Sequence, residues 1–177
     1  MIRRASLSFG LAAIFVAFGS SLTVDAQQDS KLVAIVRIAT QQYQNVANAS
    51  PDYGPVLGCV SGPDHGAMGV HFVNLSLVNG GTLLGNSQTL DPARPQALIY
   101  EPQANGEMKL VAVEYIILAG ALPANPAPQV EGHLMQFINT PNRYGLPAFY
   151  ELHVWAWKDN PQGSFADWNN HVSCDHQ

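Results

Sequence analysis

The pattern of apolar and polar residues predicts one helix followed by a series of short strands. Apolar side chains recur at steps of three and four residues between Asp29 and Ala49, which is the period of a helix with one buried face. Asp29 or Ser30 would cap the first turn of this helix. The prolines and the glycine in residues 50–55 then predict a loop that leads to Cys59.

The apolar runs beyond residue 60 are short and are separated by turn residues, which is typical of antiparallel strands. Residues 79–81 and the pair Asn105-Gly106 have the sequences of tight turns, and the second favours a hairpin. Residues 119–130 contain three prolines, so we expect a surface loop without regular structure there. The predicted strands are Ala67 to Asn74, Ala97 to Glu101, Lys109 to Leu118, Gly132 to Ile138 and Ala148 to Lys158.

These elements predict an α+β fold in which one N-terminal helix packs on, or plugs, a curved antiparallel β-sheet or small β-barrel. About five to seven strands would form that sheet. Residues 27–177 would form a single globular domain, with the helix in residues 27–50 and the β-rich core in residues 59–177. The pattern does not distinguish a barrel from an open sheet.

The first 26 residues have the features of a secretory signal peptide: two arginines, an apolar run from Leu7 to Phe18, and small residues ending at Ala26. The apolar run has 12 residues, fewer than the roughly 20 needed to cross a bilayer, which favours a cleaved signal over a membrane anchor. We predict cleavage after Ala26 and a periplasmic or secreted protein. The general secretory route is preferred to the twin-arginine route that Arg3 and Arg4 also permit.

The mature chain is acidic. It would carry six lysine and arginine side chains against twelve aspartates and glutamates, a net charge of −6 with histidine neutral. This balance argues against a nucleic-acid partner and against binding to an anionic membrane surface. A small molecule or a metal ion is the expected partner, no membrane span is expected after cleavage, and the oligomeric state stays open.

Cys59 and Cys174 are the two cysteines of the chain. In an oxidising compartment two such cysteines usually pair, although two free thiols or a metal–thiolate site are alternatives. A disulfide would close a loop of roughly 115 residues, for which chain entropy gives at most about 4 to 5 kcal/mol of stabilisation. It would tie the C-terminal tail to the start of the β-rich core.

The last predicted strand places four unusual side chains on one face, because alternate residues of a strand point the same way. They are Glu151, His153, Trp155 and Trp157. A carboxylate and ring N–H groups need partners when they are buried, and aromatic walls suit an apolar or ring-containing ligand. Glu151, Trp155 and Trp157 are therefore candidate pocket residues. The alternative is that the tryptophans belong to the core.

Histidine and carboxylate side chains also occur in other apolar strands. Glu114 lies in the most apolar of them, where an ionised carboxylate is costly to bury without a histidine, an arginine or a metal. The candidate metal ligands are His71, Glu114, His133 and His153, and the cofactor would be a divalent transition metal whose identity this ligand set does not choose. Individually, each histidine could instead be a core residue bonded to backbone or water.

Three functions compete on these observations. The leading hypothesis is an exported protein that binds a small ligand or a metal in a pocket lined by histidine, glutamate and tryptophan. The second is a metal-dependent enzyme whose ion keeps a coordination position open for water or substrate. The third is an envelope structural or interaction protein without a pocket. A serine hydrolase is disfavoured because the chain has no Gly-x-Ser-x-Gly motif.

Five segments of the sequence carry a family resemblance: Ala39-Thr40 with Tyr43, residues 68–74, residues 98–102, residues 151–157, and residues 165–169 through Cys174. With these segments the chain resembles a family of uncharacterised exported bacterial proteins, and the resemblance covers nearly the whole mature chain. It implies a bacterial exported origin and implies no reaction, cofactor or catalytic residue.

Overall fold

The computed structural model describes residues 30–62, 64–78, 83–85, 88–122 and 126–177. The helices are α1 (Lys31–Thr40) and α2 (Leu75–Val78), with 3-10 turns at Gln41–Gln44, Val46–Ala49 and Ala119–Ala121. Strands β1 to β9 are Gly54–Gly62, Gly66–Val73, Thr89–Leu90, Ala97–Pro102, Met108–Leu118, Gln129–Val130, His133–Leu134, Gln136–Ile138 and Phe149–Val154.

Six of the strands form one strongly curled antiparallel sheet in the order β1-β2-β4-β5-β9-β8. This order is linear, so the described residues form an open half-barrel rather than a closed barrel. Strands β3, β6 and β7 form a separate small sheet. The predicted α+β class with a helix and a curved antiparallel sheet is confirmed.

Helix α1 packs on one face of the large sheet. Its buried residues Leu32, Val33 and Val36 recur at helical spacing and join a core that includes Tyr100 and Tyr115. Burial of such apolar side chains supplies most of the free energy that holds a helix on a sheet. The opposite face of the sheet is therefore left for the polar residues described below.

The N-terminal helix is shorter than the sequence pattern predicts. It ends at Thr40, whose hydroxyl donates to the Val36 carbonyl at 2.7 Å, and two 3-10 turns replace the predicted helix as far as Ala49. Asn45 has extended backbone torsions, and its side chain accepts a hydrogen bond from the Ala47 amide at 3.1 Å. An asparagine that caps a new turn in this way competes with continuation of the helix. Asp29 lies outside the described residues.

The predicted loop before Cys59 is shorter than expected: residues 50–52 form a turn, but residues 54–62 form β1 at the edge of the sheet. Pro55 is compatible with this position, since an edge strand has amides that need no partner in the sheet. The pair Asn105-Gly106 lies in the hairpin between β4 and β5, as predicted. Gly106 has a positive φ of 82°, which a glycine adopts without strain.

Two other predicted elements differ in detail. The strand predicted over 132–138 divides at the buried Met135 into β7 and β8, which belong to different sheets. The segment 119–130 contains a 3-10 turn and β6 rather than only loop. Residues 79–81 and the predicted signal peptide, 1–26, lie outside the described residues. No helix in the described part of the chain is long and apolar enough to cross a membrane.

The chain after β9 folds back over the sheet face opposite α1. The Trp155 amide donates to the Ser164 carbonyl at 2.9 Å, so the strand ends at Val154, four residues before the predicted boundary at 158. Ala67 and Asn169 then exchange two backbone hydrogen bonds of 3.2 Å. This C-terminal segment, residues 155–177, is thereby held against β2.

An ion pair near the start of that segment and a disulfide near its end hold it in place. Cys59 and Cys174 are bonded, as the sequence predicts. Glu101 on β4 accepts hydrogen bonds from Lys158 at 2.7 and 2.9 Å and from the Ser173 amide at 3.1 Å. A largely buried carboxylate that accepts three hydrogen bonds from these two groups joins the tail to the middle of the sheet.

Removing the disulfide is expected to destabilise the fold. The bond closes a 115-residue loop, so a Cys59→Ser, Cys174→Ser double variant should lose up to about 4 kcal/mol of unfolding free energy in urea titration. A thiol assay on the unreduced, denatured protein should find no free thiol. Two free thiols in that assay would contradict the pairing.

Candidate metal centre and adjoining cavity

The site begins with the pairing of β5 and β9. Glu114 lies directly opposite His153, and Ile116 lies opposite Glu151. Residues that face each other in an antiparallel pair point to the same side of the sheet. The pairing therefore puts two carboxyl groups and an imidazole on one face, away from α1.

His71 joins them from β2, two strands away. It pairs with Ile99 of β4, while Glu114 pairs with Ala97, so all four side chains share the same face. Backbones two strands apart lie roughly 10 Å from each other, a gap that an imidazole and a glutamate can span together. The small side chain of Ala97 leaves space between them, and His71 Nε2 lies 3.4 Å from Glu114 Oε2.

A close backbone contact accompanies this arrangement. Gly69, two residues before His71, has φ 116°, and a Cβ there would lie 2.7 Å from the carbonyl oxygen of Tyr100. Only glycine fits both the torsion and the contact. The strand that carries His71 can therefore approach β4 at this point.

Two overlapping clusters of ligand atoms result, each with atoms within 4.8 Å of one another. The first consists of His71, Glu114 and His153, all buried, and the second of Glu151, His153 and Asp167. Nδ1 of His71 and both ring nitrogens of His153 are buried without a hydrogen-bond partner in the described residues. Buried polar atoms without partners are uncommon and call for a ligand or an unseen partner.

The pKa values of His71 and His153 are shifted in opposite directions. Burial, together with the charge on His153, lowers the pKa of His71 to about 3, and the Gly69 backbone opposes this weakly. Burial also disfavours the charged form of His153, but Glu114, Asp167 and Glu151 outweigh it and raise the pKa of His153 to about 9. His71 is thus a neutral imidazole at every physiological pH, and a neutral imidazole nitrogen can bind a metal ion.

The carboxyl groups hold protons more tightly than usual. Burial raises the pKa of Glu114 well above its ordinary value; the charge of His153 opposes the rise and Glu151 adds to it. Burial likewise raises the pKa of Glu151. Without a bound cation the cluster therefore retains protons that a metal would displace.

Asp167 reaches the site through the fold of the C-terminal segment. The Trp155 indole donates to the Ala166 carbonyl at 2.5 Å, which fixes the chain next to Asp167. Asp167 Oδ1 then lies 3.7 Å from His153 Nδ1, on the flank of the buried cluster. The sequence placed Asp167 beside a tryptophan but gave no signal that it would meet His153, because the contact depends on a turn of the tail.

A cavity of about 120 Å³ opens beside the cluster. His71, Glu114 and Glu151 lie at its polar end, and the rest of its wall is apolar, with Met68 and Phe149 among the lining residues. A site with one polar end and an apolar body is typical of small-molecule pockets. Its presence argues against the third hypothesis, a protein without a pocket.

The loop after β8 supplies part of the cavity wall. Asn142 Oδ1 accepts hydrogen bonds from the amides of Tyr144 and Leu146, both at 3.2 Å, and its Nδ2 donates to the Leu146 carbonyl at 2.9 Å. The Tyr144 hydroxyl contacts Met68 Sδ at 3.5 Å. The loop is thus held by a local asparagine network, and sequence reasoning did not connect it with the site.

The remaining candidates lie elsewhere. Trp155 stacks on His153, with ring centroids 6.5 Å apart, and belongs to a second core cluster, while Trp157 turns to α1 and donates to Thr40 Oγ1 at 3.0 Å. Neither lines the cavity, since β9 ends before them. His133 lies in the small sheet against Phe165, with ring centroids 4.2 Å apart, and is in neither ligand cluster.

Comparison with protein-family models, with curated proteins and with solved structures found no match. The resemblance to exported bacterial proteins therefore stays a prediction. The evidence on function therefore comes from the site itself.

The low pKa of His71 predicts a pH-dependent stability. Unfolded His71 binds a proton below about pH 6.5, but folded His71 does so only near pH 3. The free energy of unfolding of the metal-free protein should therefore fall between pH 6.5 and 4 by up to roughly 1.4 kcal/mol per pH unit from this group. Urea titrations with EDTA should show a shallower fall for His71→Gln; parallel curves for the two proteins would contradict the assignment.

Proposed function

We propose that this protein binds a divalent transition-metal ion through His71, Glu114 and His153. The observation that carries the proposal is the convergence of three buried ligand atoms within 4.8 Å, in a cluster whose histidine nitrogens are largely without hydrogen-bond partners. A purely structural cluster would be expected to satisfy these nitrogens internally. A metal would satisfy one nitrogen of each ring.

The distances support this ligand set. Two atoms bound to one ion at about 2.0 to 2.2 Å lie roughly 3.0 to 3.5 Å apart. His71 Nε2 and Glu114 Oε2 already have this spacing, at 3.4 Å. The ligand atoms of the other pairs lie within 4.8 Å of each other. Each side chain would therefore have to move by roughly 1 Å or less to bind the same ion.

In the second cluster, Asp167 is better placed to orient His153 than to bind the metal. Asp167 is more exposed than the other ligands, and it faces His153 Nδ1 rather than the His71 side of the site. Ligating histidines commonly donate their other N–H to a carboxylate, which orients the ring. With a metal bound, Asp167 would accept a hydrogen bond from Nδ1 of His153, and Nε2 would bind the ion.

Two histidines and one carboxylate suit zinc, iron or manganese and leave coordination positions for water or a substrate. The adjoining cavity favours a second candidate function, a metal-dependent enzyme, because an open position next to a pocket is what metal catalysis requires. Its predicted setting is the periplasm or the exterior of the cell, with which the Cys59–Cys174 disulfide is compatible.

Zinc binding and its loss in a Glu114→Gln variant test the metal site. The variant keeps the size and shape of the carboxyl group without its charge, so it should fold normally but bind zinc at least roughly 100-fold more weakly. Elemental analysis and competition with a chromogenic chelator, on protein purified without a histidine tag, measure this. Glu107→Gln makes the same change in the β4–β5 hairpin and should bind zinc normally. Failure of the parent protein to bind zinc, iron or manganese would reject the proposal.

Asp167→Asn tests the orienting role. Loss of the carboxylate beside His153 should weaken zinc binding about 10- to 100-fold, less than Glu114→Gln does, because no metal ligand is removed. The chelator competition at pH 7 gives both values. An effect as large as that of Glu114→Gln would instead identify Asp167 as a ligand.

A further inference from the structure

We infer that the cavity beside the metal site binds a small molecule with an apolar body of about five or six carbons and one anionic, metal-ligating head group, such as a carboxylate. This inference rests on the proposed metal site and adds the class of ligand. It is carried by the shape and lining of the cavity.

The lining divides the cavity into two parts. His71, Glu114 and Glu151 lie at one end, and the other lining residues are apolar apart from the Tyr144 hydroxyl. That hydroxyl is occupied by its contact with Met68. A ligand could therefore make polar contacts at one end of the cavity and would have to be apolar over the rest of its length.

The volume limits the size of the body. The cavity holds about 120 Å³, while an apolar protein cavity of about 150 Å³ accommodates benzene. A chain of about five carbons, or a ring slightly smaller than benzene, therefore fills it. A sugar or a nucleotide does not fit this cavity, and its many hydroxyl groups would find no partners there.

The cavity has an apolar mouth. Val56, Leu75 and Leu146 line it, and their exposed fractions are 50%, 65% and 39%. Large apolar side chains that are exposed together around one opening commonly mark a binding site for an apolar partner. The ligand would enter through this mouth. Its head group would come to lie against the metal at the polar end of the cavity, and its apolar body would fill the rest.

The head group follows from the charges at the polar end. Two of the three proposed ligands, His71 and Glu114, line the cavity, so an ion bound between them would lie beside it. A divalent ion held by two neutral imidazoles and one carboxylate keeps a net positive charge. An anionic oxygen of the ligand would complete its coordination and neutralise that charge.

The test compares acetate, butanoate and hexanoate binding to the zinc-loaded protein by isothermal titration calorimetry. Each added methylene should raise the affinity for the protein about fourfold, so hexanoate, with four more methylenes, should bind roughly 250-fold more tightly than acetate. Hexanamide, which has the same body without the anionic head, should bind at least roughly tenfold more weakly than hexanoate. Zinc content is measured on the same samples.

Leu118→Phe and Leu134→Phe are the matched variants. Leu118 lines the cavity, so a phenylalanine there should fill it and reduce hexanoate affinity to near that of acetate while zinc still binds. Leu134 is 69% exposed on the small sheet, and the same change there should have no effect. Leu146→Gln at the exposed mouth provides a milder variant, with an expected loss of a few-fold, in case Leu118→Phe does not fold.

The outcomes separate the two proposals. Zinc binding with equal affinities for acetate and hexanoate would overturn the ligand assignment and leave the metal site intact. Chain-length dependence without preference for hexanoate over hexanamide would overturn the metal-bound head group. Absence of zinc binding would reject the metal site and with it this assignment.

Discussion

The register between β5 and β9 is the constraint on which the site depends. It sets Glu114 opposite His153 and Ile116 opposite Glu151. A slip of one residue would turn all of these side chains to the face that packs on α1, where apolar residues are required. The same register places Tyr115 and Leu152 in the core. The apolar face thus fixes the geometry of the polar face, because one pairing serves both.

Burial of the polar face has an electrostatic consequence. A low-dielectric site disfavours isolated charges: burial lowers the pKa of His71 and raises that of Glu114, and only the acidic neighbours of His153 raise its pKa and allow it to carry a charge. A divalent cation that displaces two protons leaves the buried charge unchanged. Metal binding is then an exchange of charges within the cluster rather than burial of new ones, which is the physical reason that such a site can be both buried and functional.

The C-terminal segment completes the site although it contains no regular strand or helix. Its turn at residues 160–168 brings Asp167 to His153, and the disulfide and the Glu101–Lys158 pair hold its ends. The stacking of Trp155 on His153 extends this support to the imidazole itself. Tertiary contacts, rather than local propensity, therefore determine the orientation of the central histidine.

The sequence by itself determined the periodic features: the start of the helix, most strands of the large sheet, the β4–β5 hairpin and the pairing of the cysteines. It also identified His71, Glu114 and His153 as polar residues within apolar strands, because a period of two shows which residues interrupt a buried face. It could not show that these three meet while His133 does not, since strand order and register depend on contacts between distant segments. The edge strand with Pro55, the divergence of Trp155 and Trp157 after Val154, and the approach of Asp167 were decided only by the tertiary structure. In each case the deciding interaction joins residues that are remote in the chain, and a local pattern carries no information about it.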